Sequence, residues 1–370
     1  MIEQHIRELS AVKETSAPFL TLYMETDRHD ESQRDRIRVF MKHERQQIRH
    51  ALEGNGHDEQ IEKGIRQIEL YVENSLQPQT RGIAIFTCPD DNFFVPIQLP
   101  VPVRPQLLIG TRPQLRQLTE LREMYPPIGV ALIDGKYARL FELEFGQILY
   151  EMDLEQTDTP RRHDQGGWSQ ANMQRHVQEH INRHHKEVSE ILTKMVDHNR
   201  VRCVIISGQD RNLANFRGFL PKRVEEKIVA TLQLELRSPL SEIALSCQKA
   251  IHDRRAGQLR ERLAEVDEAA HRKGKGALGF ESVVNAANQR RLEHLFIGPG
   301  VSRMGWRCTS CGIVGERIPL GCPSCSKSVV TVDLVEELIA AAQQESARVD
   351  FAPAGTILDQ HEGIGAHLRF

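Results

Sequence analysis

The clearest structural signal in this sequence is Ile128-Gly129-Val130-Ala131-Leu132-Ile133-Asp134-Gly135, an apolar run that ends in a turn. An unbroken apolar run of this length is typical of a buried strand, and Asp-Gly favours a tight hairpin turn. Two more strand-like runs follow at residues 138–143 and 148–152, with Gly146 between them. The stretch predicts a three-strand meander, and the alternation of strand-like and helix-like segments after it predicts an α/β (α+β) fold with mixed strands.

The chain divides into three segments around this meander. Proline disfavours a helix at the residue before it, so Tyr125-Pro126-Pro127 marks the first boundary. We expect an N-terminal α/β domain at residues 1–125, a central domain at 126–251 and a C-terminal α/β domain at 252–370. A length of 370 residues fits two or three domains.

The composition is typical of a globular cytoplasmic protein. The formal net charge is −3, which excludes a uniformly basic nucleic-acid coat and leaves only local basic patches for RNA. No apolar run reaches about 18 residues, and the first residues lack the basic and then apolar pattern of a signal peptide. We therefore expect a cytoplasmic chain that makes no membrane contact.

Four of the seven cysteines have the spacing of a metal site. Cys308 and Cys311 form one Cys-x2-Cys knuckle, and Cys322 and Cys325 form a second. Four thiolates make a closed tetrahedral site for Zn²⁺, so we predict a structural zinc ribbon at residues 305–328, inserted in the third segment. Two disulfides, disfavoured by the reducing compartment, and an iron–sulfur site are the alternatives. The other three cysteines are predicted to be core thiols: Cys88, Cys203 and Cys247.

A glycine pair opens directly onto a long polar helix at Gln165-Gly166-Gly167-Trp168-Ser169-Gln170. Adjacent glycines let another molecule approach the backbone closely. Ser169 and Gln170 then lie where a helix presents free N–H groups that attract anions. A plain linker is the alternative, but the basic helix that follows to about residue 199 favours a tip used on nucleic acid.

Histidines on the same helix allow two interpretations. His176, His180 and His184 stand one turn apart, a spacing that a metal could use. No carboxylate recurs in a ligand pattern, so a solvated or RNA-facing stripe is favoured over a metal site. His163-Asp164, just before the glycines, is a weaker candidate for an acid–base pair.

Several stretches of the chain resemble the archaeo-eukaryotic class-1 peptide chain release factors and their Pelota-like relatives, particularly the divergent bacterial branch. Residues 162–175 resemble the family's Gly-Gly-Gln loop and the helix after it, and residues 128–150 resemble the meander that opens its second domain. Residues 281–297 and 363–370 resemble a helix–strand pair and the final glycine-rich strand of its third domain. The resemblance implies a three-domain release-factor-like architecture whose N-terminal domain is of the recognition type.

The resemblance also implies a function. The family places its loop in the ribosomal peptidyl-transferase centre, where the ester of peptidyl-tRNA is hydrolysed. Its glutamine stabilises developing charge through the backbone N–H and positions water through the side chain. Gly166, Gly167 and Gln170 match the loop and are the expected catalytic residues. The expected RNA-binding residues are Arg161, Arg162, Trp168, Arg175, Arg183 and Lys186.

The sequence departs from the family pattern in two places, and both affect the expected function. Trp168 and Ser169 separate the glycines from Gln170, so the loop could hydrolyse the ester or instead cut tRNA near its 3′ end. In the second case Arg175 or Arg161-Arg162 would clamp phosphate. Residues 52–58 lack the Asn-Ile-Lys-Ser codon-reading motif, which favours rescue of stalled ribosomes over codon-specific termination.

The resemblance also implies the partners of the chain. They are the ribosome, peptidyl-tRNA, rRNA and a translational GTPase, with the free chain a monomer. A function of another class remains open, because a non-catalytic adaptor could dock on RNA or the ribosome through the zinc ribbon.

Overall fold

A computed structural model of the chain describes residues 2–12, 15, 17–26, 33–52, 58–155, 169–198, 200–272 and 274–370. The chain forms two compact units. Unit 1 combines residues 1–123 with 259–370, and unit 2 comprises residues 124–258. The first and third expected segments thus share one unit, and the division into three domains stays a prediction.

The N-terminal part of unit 1 is an antiparallel sheet covered by helices. Its elements are α1 (Ile2–Ser10), β1 (Phe19–Glu25), α2 (Gln33–Leu52), α3 (Asp58–Asn74), β2 (Gly82–Cys88), β3 (Phe93–Leu99), β4 (Gln106–Gly110) and α4 (Arg116–Met124). The strand order is β3-β2-β1-β4. Ile61, Ile65 and Ile68 recur at helical spacing in α3, and they pack with Leu20 and Leu22 of β1 in one buried core.

Unit 2 carries the meander and a mixed five-stranded sheet. Its elements are β5 (Ile128–Ile133), β6 (Tyr137–Glu144), β7 (Gln147–Glu155), α5 (Ser169–Asp197), β8 (Cys203–Ser207), α6 (Asp210–Arg217), α7 (Lys222–Glu225), β9 (Ile228–Leu232) and α8 (Leu240–His271). The order is β7-β6-β5-β8-β9, with β5, β8 and β9 parallel and the meander antiparallel. The predicted meander is confirmed.

The apolar run in β5 has a simple cause, since both faces of the strand are covered. Ala131 and Ile133 pack with residues of α5 in one core, whereas Val130 and Leu132 pack with residues of α8 in another. A strand buried on both faces loses the apolar–polar alternation of a half-exposed strand. The Asp134 carboxylate accepts hydrogen bonds from the N–H groups of Lys136 and Tyr137, both at 2.6 Å, which closes the first turn.

Helix α8 has 32 residues and runs from Leu240 to His271. Just after its last turn, Gly274 donates its N–H to the Ala269 carbonyl at 2.8 Å, a bond typical of a helix C-terminus. The helix passes from unit 2 to unit 1 between residues 258 and 259.

The C-terminal part of unit 1 contains a four-stranded sheet and a small separate sheet. Its elements are β10 (Gly276–Leu278), α9 (Phe280–Asn288), β11 (Leu292–Ile297), β12 (Met304–Cys308), β13 (Val314–Gly315), β14 (Val329–Asp333), α10 (Leu334–Gln344), β15 (Arg348–Phe351) and β16 (Ile364–Leu368). The larger sheet has the order β10-β16-β11-β15 and packs against α9 and α10. The helix–strand pair expected at 281–297 and the expected final strand are confirmed.

The four clustered cysteines belong to the smaller sheet, which has the antiparallel order β13-β12-β14. We call residues 304–333 the cysteine module. Its own core is small and includes Trp306, Cys308 and Cys322. Within the described ranges, no helix is both long and apolar enough to cross a membrane.

Candidate functional site

Helix α5 begins at Ser169, two residues after Gly167. Gln170 therefore lies in the first turn, where backbone N–H groups have no partner within the helix. The side chain of Gln170 lies outside the described part of the chain, as do residues 156–168. The expected residues Arg161, Arg162, Gly166, Gly167 and Trp168 and the pair His163-Asp164 belong to that outside stretch.

The first half of α5 is a polar stalk. The helix has 29 residues, which corresponds to about 43 Å at 1.5 Å per residue. Arg175, Arg183 and Lys186 are exposed, and a 100° step per residue places them within an arc of about 80°. Glu179 and Glu190 fall on the same arc, so this face carries both signs of charge.

The second half of α5 is a core helix. Val188, Leu192 and Met195 are buried against the sheet of unit 2. His184 precedes Val188 by one turn and is only 1% exposed. The expected solvated or RNA-facing stripe is therefore wrong at His184, although His176 at the other end is exposed.

His185 fixes α5 to two neighbouring elements, and sequence reasoning missed this role. Its side chain is fully buried, with Nε2 3.3 Å from the Asp134 carbonyl oxygen and Nδ1 3.3 Å from Nδ2 of Asn215 in α6. A carbonyl accepts and an amide NH₂ donates, so the ring is neutral, with its proton on Nε2. Burial lowers the pKa of His185, and the carbonyl at Asp134 opposes this only in part.

The network continues along the stalk. Asn215 Nδ2 is also 3.3 Å from Oδ1 of Asn182, and Nε2 of Gln178 donates to the same oxygen at 2.9 Å. Phe216 and Phe219 pack edge-on against the His185 ring. The side chains of Gln178, Asn182, His185 and Asn215 thus form one network that connects α5 to the rest of unit 2.

The basic residues after β8 are tied to carboxylates. Arg223 makes a two-point contact with Asp197 at 2.8 and 2.9 Å, and Arg217 is paired with Glu225. Solvent-accessible ion pairs of this kind are typical of a solvated helical face.

The cysteine cluster has the geometry of a tetrahedral metal site. The Sγ atoms of Cys308 and Cys325 are 3.4 Å apart, those of Cys311 and Cys322 are 3.5 Å apart, and all four lie within 4.8 Å of one another. A tetrahedral site with Zn–S bonds of about 2.3 Å separates its sulfurs by about 3.8 Å. All four are free thiols, so the disulfide alternative finds no support.

The loop around the first knuckle is already arranged for a thiolate. The N–H groups of Ser310 and Cys311 point at Cys308 Sγ, at 3.4 and 3.5 Å. These N–H groups, with that of Cys311 the stronger, lower the pKa of Cys308 to about 6. Within the described ranges, this cluster is the one group of His, Cys, Asp and Glu side chains placed to hold a metal ion.

The isolated cysteines behave as core thiols, as predicted. Cys88, Cys203 and Cys247 are buried. Burial raises the pKa of Cys203 to about 11 and that of Cys247 to about 12, which keeps both thiols protonated and unreactive.

A protein-family model matches the central part of this chain. Residues 113–252, which include the loop and the whole of α5, match the model of bacterial archaeo-eukaryotic release factor family 10. This segment is therefore similar to archaeo-eukaryotic release factors. The predicted resemblance to that family is thereby confirmed.

Two archaeal relatives extend the similarity beyond the central segment. Peptide chain release factor subunit 1 of Thermoplasma acidophilum is 26% identical over 283 residues, which cover 69% of this chain and 66% of the relative. The protein of the same name from Picrophilus torridus is 24% identical over 258 residues, which cover 64% of this chain and 62% of the relative. The match thus spans somewhat less than two thirds of either relative.

Solved structures of similar proteins include an archaeal translation termination factor, aRF1, at 15% identity and a TM-score of 0.26, covering 100% of this chain and 97% of that one. Dom34 of S. cerevisiae, described as a translation termination-like factor that interacts with Hbs1, has 9% identity and a TM-score of 0.40, covering 100% and 92%. A ribosome-bound archaeal Pelota has 11% identity and a TM-score of 0.41, covering 100% and 94%.

Proposed function

We propose that this chain is a ribosome rescue factor that occupies the A site and releases the nascent peptide from tRNA. One observation carries the proposal. The Gly166-Gly167-Trp168-Ser169-Gln170 sequence lies at the N-terminal end of a 29-residue helix, inside the segment that matches the release-factor family. A long helix with a buried base and a polar upper half is suited to carry such a loop into a deep cavity.

The proposed chemistry is positioning and electrostatic stabilisation. The first N–H groups of α5, including that of Gln170, would donate to the oxygen on which negative charge develops during ester hydrolysis. The Gln170 side chain would orient the attacking water, and the glycines would let the tRNA end approach the backbone. Exposed Arg175, Arg183 and Lys186 would contact RNA phosphates along the stalk.

The proposed partners are the ribosome, its rRNA and peptidyl-tRNA, with delivery by a translational GTPase and a cytoplasmic location. The Pelota and Dom34 structures are described with a ribosome and with Hbs1 respectively, which is the setting proposed for this chain. Stop-codon reading is not part of the proposal, because residues 52–58 lack the family motif. We propose Zn²⁺ as a structural ion in the cysteine module, because four thiolates leave no open position for catalysis.

Peptide release from stalled ribosome complexes tests the proposal. Gln170→Ala removes the side chain and keeps the backbone donor, whereas Gln170→Pro removes that donor at a helix position that tolerates proline. We expect each to slow release about 100-fold, the typical effect of losing one oxyanion donor, and Gly167→Ala to slow it as well. Gln174→Ala, one turn further along α5, is the matched control and should release peptide at the parent rate.

The product identifies the bond that is cut. A tRNA with an intact CCA end indicates ester hydrolysis, and a shortened end indicates the alternative, a tRNA 3′-end endonuclease. If Gln170→Ala and Gly167→Ala release peptide as fast as the parent, the proposed site is wrong. Ribosome binding without any turnover would instead identify the chain as a non-catalytic adaptor.

A further inference from the structure

The two parts of unit 1 meet along a polar seam formed by residues 111–119 on one side and residues 301–343 on the other. The N–H of Leu115 donates to Oε2 of Glu336 at 3.1 Å, and Nε2 of Gln343 donates to Oγ1 of Thr119 at 2.8 Å. Arg116 donates to the Val301 carbonyl. Directional bonds of this kind hold the N-terminal part in one orientation on the C-terminal part.

An arginine of the cysteine module takes part in the same seam. Arg307 is only 4% exposed, and its Nε lies 3.3 Å from Oε2 of Glu337. Arg112 of the N-terminal part is paired with the same carboxylate oxygen. Nη2 of Arg307 also donates to Oγ1 of Thr111 at 3.3 Å. Glu337 is therefore held between one arginine from each side of the seam.

Arg307 is the residue directly before the metal-site cysteine Cys308, on strand β12. Its backbone is paired on one side with Val314 and on the other with Val330. The two neighbouring strands are connected to β12 through the chain that carries the four cysteines. The position of the Arg307 side chain thus depends on the order of this small sheet.

The small sheet has only a small apolar core of its own. Its core includes one tryptophan and two cysteine ligands, Trp306, Cys308 and Cys322. Modules with so little apolar core are ordinarily unfolded without their metal, because binding energy and folding energy are then the same quantity. Loss of the ion should disorder β12 within the small sheet. The Arg307 guanidinium would then no longer be held beside Glu337.

We propose that the metal in the cysteine module locks the N-terminal part of unit 1 onto its C-terminal part through Arg307 and Glu337. Removing the ion deprives Glu337 of its contact with Arg307. The N-terminal part then opens from the seam more often, although no metal ligand lies in it. Arg307 is a positioning residue in this scheme, and the inference does not depend on the proposed peptide-release activity.

Amide hydrogen exchange of the full-length chain tests the inference. The zinc-loaded protein is compared with the protein after chelation, with zinc content measured in both. We expect amides of residues 112–124 to exchange at least about tenfold faster without the ion, together with those of the cysteine module. Acceleration confined to residues 304–333, or purified protein that holds no zinc, would overturn the proposal.

Two arginine variants keep the test decisive even where chelation unfolds the chain. Arg307→Gln with zinc bound should accelerate exchange in residues 112–124 to a similar degree, and unchanged exchange there would contradict the proposal. Arg303→Gln is the matched control, because Arg303 binds Glu316, Glu362 and the Phe280 ring, all in the C-terminal part. It should leave residues 112–124 at the parent exchange rate.

Discussion

Asn288 is hydrogen-bonded to Val314 through both ends of its side-chain amide. Nδ2 donates to the Val314 carbonyl at 2.8 Å, and Oδ1 accepts from the Val314 N–H at 3.0 Å. The pairing imitates a neighbouring strand and satisfies the outer edge of β13, which has only two residues. One side chain of α9 therefore holds the cysteine module against the larger sheet.

Replacing this amide should loosen the module without unfolding unit 1. Asn288→Ala leaves two backbone groups of Val314 without partners, which costs about 1–3 kcal/mol. We expect faster amide exchange at Val314 and Gly315 and a lower midpoint for chelator-induced zinc loss. Asn285→Ala, at an exposed position one turn earlier in α9, is the control. Unchanged exchange at Val314 in Asn288→Ala would show that the two hydrogen bonds do not stabilise the cysteine module.

Metal content provides the next prediction. Protein purified without chelators should contain about one zinc per chain, and Cys311→Ser should lose it, because three thiolates and a hydroxyl bind zinc far more weakly. Elemental analysis beside a protein concentration measures the ratio. Cys247→Ser is the control, since Cys247 is buried in unit 2 and belongs to no metal cluster. A parent protein without zinc would contradict the proposed structural zinc site.

The buried His185 predicts a pH dependence with a definite sign. Its folded-state pKa is lowered, so protonation disfavours the folded state. Its contribution is fully present above the ordinary histidine pKa of about 6.5 and is lost as the pH falls below that value. Between pH 7.5 and 5.5 we expect the parent to lose more unfolding free energy than His185→Gln.

Two further variants test the assignment to His185. His176→Gln alters an exposed histidine of the same helix and should keep the parent's pH dependence. Asn215→Asp puts a carboxylate beside Nδ1, which raises the pKa of His185 and weakens or reverses the effect. Equal pH slopes for the parent and His185→Gln would mean that the ring does not titrate as proposed.

Two helical glycines should respond in opposite directions to alanine. A Cβ at Gly257 in α8 would meet no atom within 4 Å, so Gly257→Ala should stabilise the chain by up to about 1 kcal/mol. A Cβ at Gly64 in α3 would lie 3.1 Å from Cδ1 of Leu20, so Gly64→Ala should gain less or destabilise. Denaturant unfolding of both variants measures the change in the free energy of unfolding. A larger stabilisation by Gly64→Ala than by Gly257→Ala would contradict the packing argument.

Local sequence patterns were enough to predict the elements whose signals are local. The run of residues 128–133 and the turn at Asp134 depend on neighbouring residues only, and the meander followed from them. The cysteine spacing placed four thiols together for the same reason. Helix α8 was harder, because Ile243 and Cys247 pack in unit 2 whereas Leu259 and Leu263 pack in unit 1, so its apolar positions change face along the helix.

Residues that act through distant partners could not be found in this way. Arg307 and Glu337 are 30 positions apart, and Arg112 is 195 residues from Arg307 and 225 from Glu337, so no spacing rule connects them. His184 directly precedes the apolar positions Val188 and Leu192 at i, i+4 and i+8 and is buried, whereas His176, two turns earlier in the same series, is exposed. A signal for His184 existed in that i, i+4, i+8 series.

The discontinuous composition of unit 1 has a consequence for the order of synthesis. A ribosome makes the strands β1 to β4 first and then all of unit 2. Only afterwards does it make residues 259–370, which complete unit 1. Thr111 and Arg112 emerge at least 195 residues ahead of Arg307 and Glu337. Residues 111–119 therefore remain without their partners in the seam for most of translation, and the seam forms only after residues 301–343 have been made.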